Sequence, residues 1–231
     1  MKHEGTTAMP SGFRINPRPP KIDPMLLESF RGLPTPIVSD NMGRMYAGGP
    51  GLRPYYKGAP MLGVALTVRA RPGDNLMVHK AIDIAEPGDI IVVDAGGDLT
   101  NAIFGEIMLR WSVKRGVGGI VIDGAIRDSD VLVSGDFPVY ARGVTHRGPY
   151  KDGPGEINVS INVGGQTVAP GDIVIGDADG MLAIPRADAK EVAALAHAQF
   201  AREASILASI ADGSVDRRWV DDLLRAKGLA P

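Results

Sequence analysis

The chain contains no cysteine. Disulfides, thiolate zinc sites and cysteine nucleophiles are therefore excluded, and the lack of disulfides fits a reducing compartment. Histidine is nearly as scarce: His3, His79, His146 and His197 form no His-Glu-x-x-His or His-x-His pair, which leaves no histidine-rich zinc site. Without a Gly-x-Ser-x-Gly elbow, a Ser-His-Asp hydrolase has no foothold. No stretch approaches the roughly 20 apolar residues of a membrane span. The N-terminal MKHEGTTAMPSGFRINPRPPKID lacks the apolar centre of a secretory signal. Charge of one sign is missing too, since 25 Lys and Arg face 27 Asp and Glu for a formal net charge of -2. Nucleic-acid affinity draws on clustered cations, and no dense basic block follows the first two dozen residues, so no nucleic-acid partner is expected. A cytoplasmic protein that binds no membrane is the expectation.

What is present suits one layered domain. With 231 residues, 44% of them hydrophobic, the chain can bury a substantial core. Residues 1–21, with Pro10, Pro17, Pro19 and Pro20, read as an extended arm, either flexible or packed against a neighbouring subunit. Asp23 followed by Pro24, and Thr35 followed by Pro36, read as helix caps. GAPMLGVALTVRARPGDN reads as a strand reaching a Pro-Gly turn, NLMVHKAIDIAEPGD as a helix, and DIIVVDAGGD as a short strand entering a glycine turn. A helix from about Gly105 to Gly116, a strand GIVIDGA, a short helix RDSDVLVSG and a strand DFPVYARG follow. GEINVSINVGGQTVAPGDIVIGDADGMLAIP alternates between turn pairs and predicts antiparallel β structure. A helix over 186–212 and a last one in DRRWVDDLLRAKG close the chain. Helix–strand alternation followed by a β-rich stretch implies a layered α/β fold with mixed sheets. EPGDIIVVDAGGD and APGDIVIGDADG echo each other, as two similar turn-strand-turn units in one sheet system would.

Three places carry candidate chemistry. A helix beginning near Gly105 leaves the backbone N–H groups of Glu106, Ile107 and Met108 without intrahelical partners, which suits a carboxylate or phosphate unless the helix caps itself. Arg127 and Asp128 stand side by side where a buried strand ends. The guanidinium is a fork that matches a carboxylate, and the aspartate is a hard oxygen ligand for Mg²⁺ or Mn²⁺. The alternative is that Asp128 caps the next helix and Arg127 is solvated. Asp123 reads as a strand-end residue, and His79 as a helix-surface or core residue with pocket lining as the other reading. Glu203, on an Ala-rich helix, reads locally as part of a solvated face.

RPGDN, GGDLTNAIFGE, GIVIDGAIRD and PGDIVIGDADGMLAIP occur in this order and resemble the RraA-like family from about Ile22 to Gly213. The resemblance implies a swivelling β/β/α domain over 22–213, with a C-terminal helical extension over 214–231, assembled as a homotrimer or dimer of trimers. Two kinds of member are implied. One is a divalent-metal (class II) pyruvate aldolase acting on 4-hydroxy-4-methyl-2-oxoglutarate or 4-carboxy-4-hydroxy-2-oxoadipate. The other is a regulator that binds and inhibits a ribonuclease without metal. The Arg-Asp pair resembles the aldolases, whereas the regulator type lacks the Asp.

On that resemblance, Gly105, Glu106, Ile107 and Met108 would hold the pyruvyl carboxylate, and Arg127 the pyruvyl oxygens. Asp128 would ligate Mg²⁺ or Mn²⁺. Glu106 would hold a metal-bound water as candidate base, Asn75 would sit on the substrate side, and Glu203 would reach the site of an adjacent subunit. The chain reads Gly-Glu-Ile-Met where the aldolases mostly read Gly-Asp-Leu-Leu. Cleavage of C3–C4 would leave an enolate, and the same electron sink would allow oxaloacetate decarboxylation. A different 2-oxo-acid lyase or decarboxylase on this site is the third reading.

Overall fold

All eight residues of Gly119–Ile126 are buried, the mark of a strand covered on both faces. Around it, the computed structural model describes residues 11–46 and 48–229; the first ten residues of the expected arm, His3 among them, and 230–231 of the expected extension lie outside the described residues. In chain order the elements begin β1 (Phe13–Ile15), α1 (Pro24–Glu28), α2 (Thr35–Asp40), β2 (Arg53–Pro54), β3 (Met61–Ala70), α3 (Leu76–Ile84) and β4 (Asp89–Asp94). Then come β5 (Ala102–Phe104), α4 (Glu106–Lys114), β6 (Gly119–Ile126), α5 (Ser129–Ser134) and β7 (Val139–Val144). β8 (Gly155–Ile157), β9 (Ile161–Val163), β10 (Gln166–Val168), β11 (Ile173–Gly176), β12 (Met181–Ile184), α6 (Ala189–Ala211) and α7 (Arg218–Ala226) complete the described chain.

The main sheet runs β1-β8-β3-β4-β6-β7-β2 and is mixed. β3, β4, β6 and β7 are mutually parallel, and β5 continues the parallel set beside the end of β6, with Ala102 opposite Ala125. β11 and β8 share the edge of β3 away from β4, and β12 extends β11. The two-residue period of the strands sorts their side chains into layers. Ile91, Val93, Ile120 and Ile122 face Val78 and Ile82 of α3 and Met108 and Leu109 of α4. Ile90, Val92 and Val121 face the other way, onto Val163, Val168 and Val174. A further apolar layer joins α1, α2, β11, β12 and the first half of α6. Each fully buried aliphatic side chain in these layers stabilises the fold by about 1.5–3 kcal/mol. The expected β/β/α layering is what these residues build.

The echoed Pro-Gly-Asp units have one physical cause. Asp89 accepts from the Glu86 N–H at 2.7 Å, and Asp172 accepts from the Ala169 N–H at 2.8 Å. Each aspartate thus ties the turn that launches a strand onto β3, where Val64 pairs with Asp89 on one edge and Ile173 on the other.

Several local expectations need correction. The described part of the arm belongs to the domain itself: β1 pairs parallel with β8, so the β structure after 155 is not wholly antiparallel. Asn16 and Asn158 exchange side-chain-to-carbonyl bonds of 3.0 Å, and the Arg18 guanidinium is bonded to the Asp89 carboxylate. Thr35 is inside α2, with Pro34 at the cap position, because Asp177 receives the Thr35 N–H from outside the helix at 2.8 Å. Asp23 does cap α1, accepting from the Met25 N–H. The long helix starts at Ala189, three residues later than 186. Among the described residues no helix is long and apolar enough to cross a membrane.

Candidate active site

The strand β5, which the glycine-rich stretch disguised in the sequence, delivers the chain to Gly105 beside the end of β6. The Arg127 N–H donates to the Phe104 carbonyl at 2.9 Å, so the two strand ends are locked together. Gly105 is extended (φ -164°, ψ -168°), a conformation open to any residue. What requires glycine there is proximity. A Cβ would lie 2.6 Å from Asp128 Oδ2 and 2.9 Å from Arg127 Cγ, inside any ordinary contact.

Asp128 occupies the left-handed region (φ 57°, ψ 38°), uncommon for a residue other than glycine. Its side chain does not cap α5. It accepts instead from the Glu106 N–H at 2.9 Å, capping the next-door helix α4 from outside. Both capping alternatives left open by the sequence are thereby replaced, and only part of the α4 terminus stays free. Of its early N–H groups, Glu106 is taken, Leu109 bonds back to the Gly105 carbonyl, and those of Ile107 and Met108 have no protein acceptor among the described residues. Arg127 Nε lies 3.8 Å from Asp128 Oδ2 with both side chains 40% exposed, a loose pairing that leaves the guanidinium available.

Two concavities meet at Arg127. An inner cavity of about 290 Å³ is lined by Asn75, His79, the β5–α4 turn, Arg127 and Lys151 and, among the described residues, by no carboxylate. An outer cleft of about 520 Å³ carries Glu106, Asp128 and Asp130 together with Arg127 and His146. The wall between them thus separates a lining with Arg127 and Lys151 from one with three carboxylates. It stands at the carboxyl ends of parallel strands, where α/β sheets commonly bind ligands.

Asn75 donates from Nδ2 to the Ile103 carbonyl (3.2 Å) and towards Met108 Sδ (3.3 Å). Because the Ile103 carbonyl can only accept, the amide orientation is fixed, and Oδ1 is left buried without a partner among the described residues. His79 corrects the expectation of a helix-surface or core residue, since it lines the inner cavity. Its pKa is lowered, first by burial and then by the nearby Lys151 charge, with Asp83 partly offsetting both. Asp123 is a structural residue as expected, buried and bonded to Arg142 and the Gly164 N–H. Glu106 Oε1 receives two bonds from Arg110, one helical turn on, and its second oxygen has no protein partner among the described residues. Glu203 is not brought to this site within the chain. It accepts from Gln199 on α6, which packs on α1 and α2 and lines neither concavity.

The residue that sequence reasoning missed is Lys151. Its loop is tied to the site by backbone: Asn75 N–H donates to the Tyr150 carbonyl at 3.0 Å, and Ala102 N–H donates to the Arg147 carbonyl at 2.9 Å. Asp74 fastens the same loop, accepting from the Asp152 and Gly153 N–H groups at 2.7 and 2.9 Å. Only Asp74, immediately before Asn75 in the Pro-Gly turn, could have hinted at an anchor there.

Among the described residues no group of three or more His, Asp and Glu is placed to hold a metal by side chains alone. Asp128 nevertheless offers a hard donor: Oδ2 is engaged by the Glu106 N–H, and Oδ1 has no protein partner among the described residues. One carboxylate oxygen, with water and ligand oxygens for the rest, matches how Mg²⁺ is commonly held. The residues present fit such an ion.

A family model described as "RraA-like: Aldolase/RraA" matches residues 35–183, more than half of the chain. A protein of Halalkalibacterium halodurans, provisionally named a 4-hydroxy-4-methyl-2-oxoglutarate aldolase, is 40% identical over 166 residues, covering 72% of this chain and 79% of that protein. The solved structure of an uncharacterized protein from Pseudomonas syringae pv. tomato superposes with a TM-score of 0.77 at 28% identity, over 85% of this chain and 97% of that one. The structure of the RNA-processing inhibitor RraA from Thermus thermophilus superposes with a TM-score of 0.61 at 30% identity, over 66% and 92%.

Proposed function

The chain belongs to the RraA-like family, and from that premise we propose that it is a class II pyruvate aldolase dependent on Mg²⁺ or Mn²⁺. Its substrate is 4-hydroxy-4-methyl-2-oxoglutarate or 4-carboxy-4-hydroxy-2-oxoadipate, cleaved to pyruvate and a second oxo acid. The observation that carries the reading is the shared wall. Asp128 reaches across Gly105 to the start of α4 and Arg127 packs against the same glycine, between a cavity that no described carboxylate lines and a cleft with three.

In the proposed reaction the Ile107 and Met108 N–H groups, at the positive end of α4, receive the substrate's C1 carboxylate. Arg127 donates to the 2-oxo oxygen. As C3–C4 breaks, its electron pair moves towards that oxygen as an enolate, and the C4–O bond becomes a carbonyl. The guanidinium therefore stabilises charge where it grows, which lowers the barrier more than it strengthens substrate binding. Asp128 would hold the divalent ion, which would supply Lewis-acid stabilisation of the same developing charge. Glu106, through its unpaired oxygen and an intervening water, takes the proton from the C4 hydroxyl, and a proton returned to C3 completes pyruvate. Oxaloacetate decarboxylation draws on the same electron sink as a side activity. Glu203 of the partner subunit joins Glu106 in the proposal, which makes a homotrimer or dimer of trimers the working form. The protein acts in the cytoplasm on small 2-oxo acids.

The test is pyruvate release from 4-hydroxy-4-methyl-2-oxoglutarate with Mg²⁺ or Mn²⁺, and its loss under chelator. Asp128→Asn should lower kcat/KM at least about 100-fold. A variant with undiminished turnover sinks the assignment. The solved inhibitor among the relatives supports a second reading, a protein-binding regulator of a ribonuclease. Inhibition that persists under chelator, with no lyase activity, would establish it instead.

A further inference from the structure

We propose that Lys151 is a specificity-determining residue of the inner cavity: it receives a second carboxylate of the ligand, so that the site selects 2-oxo diacids over 2-oxo monoacids. The inference rests on the aldolase reading for the reaction, but its chemistry is that of the cavity alone.

One anionic group already has its place at Arg127 and the free N–H groups of α4. A single carboxylate satisfies that end, and a cavity built only for a monoacid would line its remainder with apolar side chains. This cavity instead carries a second cation, Lys151, and no carboxylate lines it among the described residues; Asp128, loosely paired with Arg127 at 3.8 Å, lines the outer cleft. Among the described residues Lys151 takes part in no ion pair.

Lys151 is exposed, but the loop that carries it is not loose. The Asp74 carboxylate is buried and accepts from two N–H groups of the loop just after Lys151. Tyr150, just before it, bonds through its own N–H to the Gly73 carbonyl and accepts the Asn75 N–H. Arg71 adds a bond to the Gly153 carbonyl and stacks over the Tyr150 ring at 5.3 Å. The backbone that carries Lys151 is therefore fixed on both sides to the turn that carries Asn75. His79 lies close enough to feel the lysine charge, and burial together with that charge holds it towards the neutral form. A neutral imidazole adds a hydrogen-bonding group to this end without a competing ion.

The test uses a matched pair that the enzyme cannot cleave. 2-Oxoglutarate and 2-oxopentanoate differ only in a terminal carboxylate against a methyl group, and neither has a 4-hydroxyl. Titration calorimetry with Mg²⁺ present should show the wild type preferring 2-oxoglutarate. Lys151→Met should lower that preference by about 10- to 100-fold, and Lys151→Arg should restore most of it. Thermal melting of both variants checks that they are folded. An unchanged preference, or an equal weakening of both ligands, overturns the proposal. So does a wild type that binds the two equally. The kinetic counterpart is the kcat/KM ratio for 4-hydroxy-4-methyl-2-oxoglutarate over 4-hydroxy-4-methyl-2-oxopentanoate, which should fall in the same proportion. Diacid preference that depends on Lys151 without any turnover would refute the aldolase reading and leave this one standing. Turnover with a preference indifferent to Lys151 would do the reverse.

Discussion

Replacing Gly105 by alanine isolates the contact on which the site depends. The backbone there is extended, so alanine meets no conformational penalty of its own. The new methyl meets Asp128 Oδ2 at 2.6 Å, roughly 0.8 Å inside ordinary contact at 3.4 Å, and Arg127 Cγ at 2.9 Å. Asp128 is 40% exposed and can swing away, but then the 2.9 Å bond that caps Glu106 N–H is lost. Loss of a helix cap costs about 1 kcal/mol, a fall in Tm of about 2–4 °C for a chain of this size. The effect on chemistry should be far larger. Displacing a reacting group by about 1 Å costs on the order of 100-fold in rate, and here the carboxylate proposed to hold the metal and its neighbouring guanidinium move together. Gly105→Ala should therefore lose about 100-fold in kcat/KM for pyruvate release while remaining folded. Gly88→Ala is the contrast. Gly88 has φ +88° and nothing within 4 Å of its would-be Cβ, so alanine is strained but unobstructed. It should lose about 1 kcal/mol of stability with little change in kcat/KM. A Gly105→Ala enzyme as active as the wild type would refute the reasoning, because the close approach would then serve no purpose in the site.

Other consequences are accessible to simpler measurements. The His79 imidazole should titrate below the ordinary histidine value of 6.5 in an NMR pH series, since burial and then Lys151 lower it. Lys151→Met should move that titration up, and Asp83→Asn should move it down. The folded state favours neutral His79, so its contribution to stability is present above 6.5 and is lost as pH falls through the depressed value. A His79 that titrates at or above 6.5 refutes this. Asp74→Asn keeps the shape but trades a carboxylate for an amide with a single acceptor, where three N–H groups now converge on two oxygens. Urea unfolding should show a loss of about 1–3 kcal/mol, and the diacid preference should weaken as the Lys151 loop loosens.

The layered α/β character was legible because it follows from local rules. β4 and β6 carry the apolar runs of strands buried on both faces, and α3 and α4 put their apolar residues at helical spacing against them. The repeated Pro-Gly-Asp turns were visible as an echo, and the hydrogen bonds explain why the same three residues recur where strands begin. The strand β5 was not legible. Three residues in a glycine-rich stretch carry no periodicity, and Ala102–Phe104 are extended only because the end of β6 gives them a partner. β1 was hidden likewise, since its strand character comes from β8, far along the chain.

The site divides along the same line. By itself the sequence determined that Arg127 and Asp128 leave a buried strand together, and that a helix with unsatisfied N–H groups starts near Gly105. Both are properties of neighbouring residues. Only the tertiary structure decided that these two places touch, that Asp128 caps α4 and not α5, and that Lys151 and His79 line the cavity behind them. Positions so distant in sequence meet because parallel strands bring their carboxyl ends to one side of the sheet, and chain order carries no record of that until the strands pair.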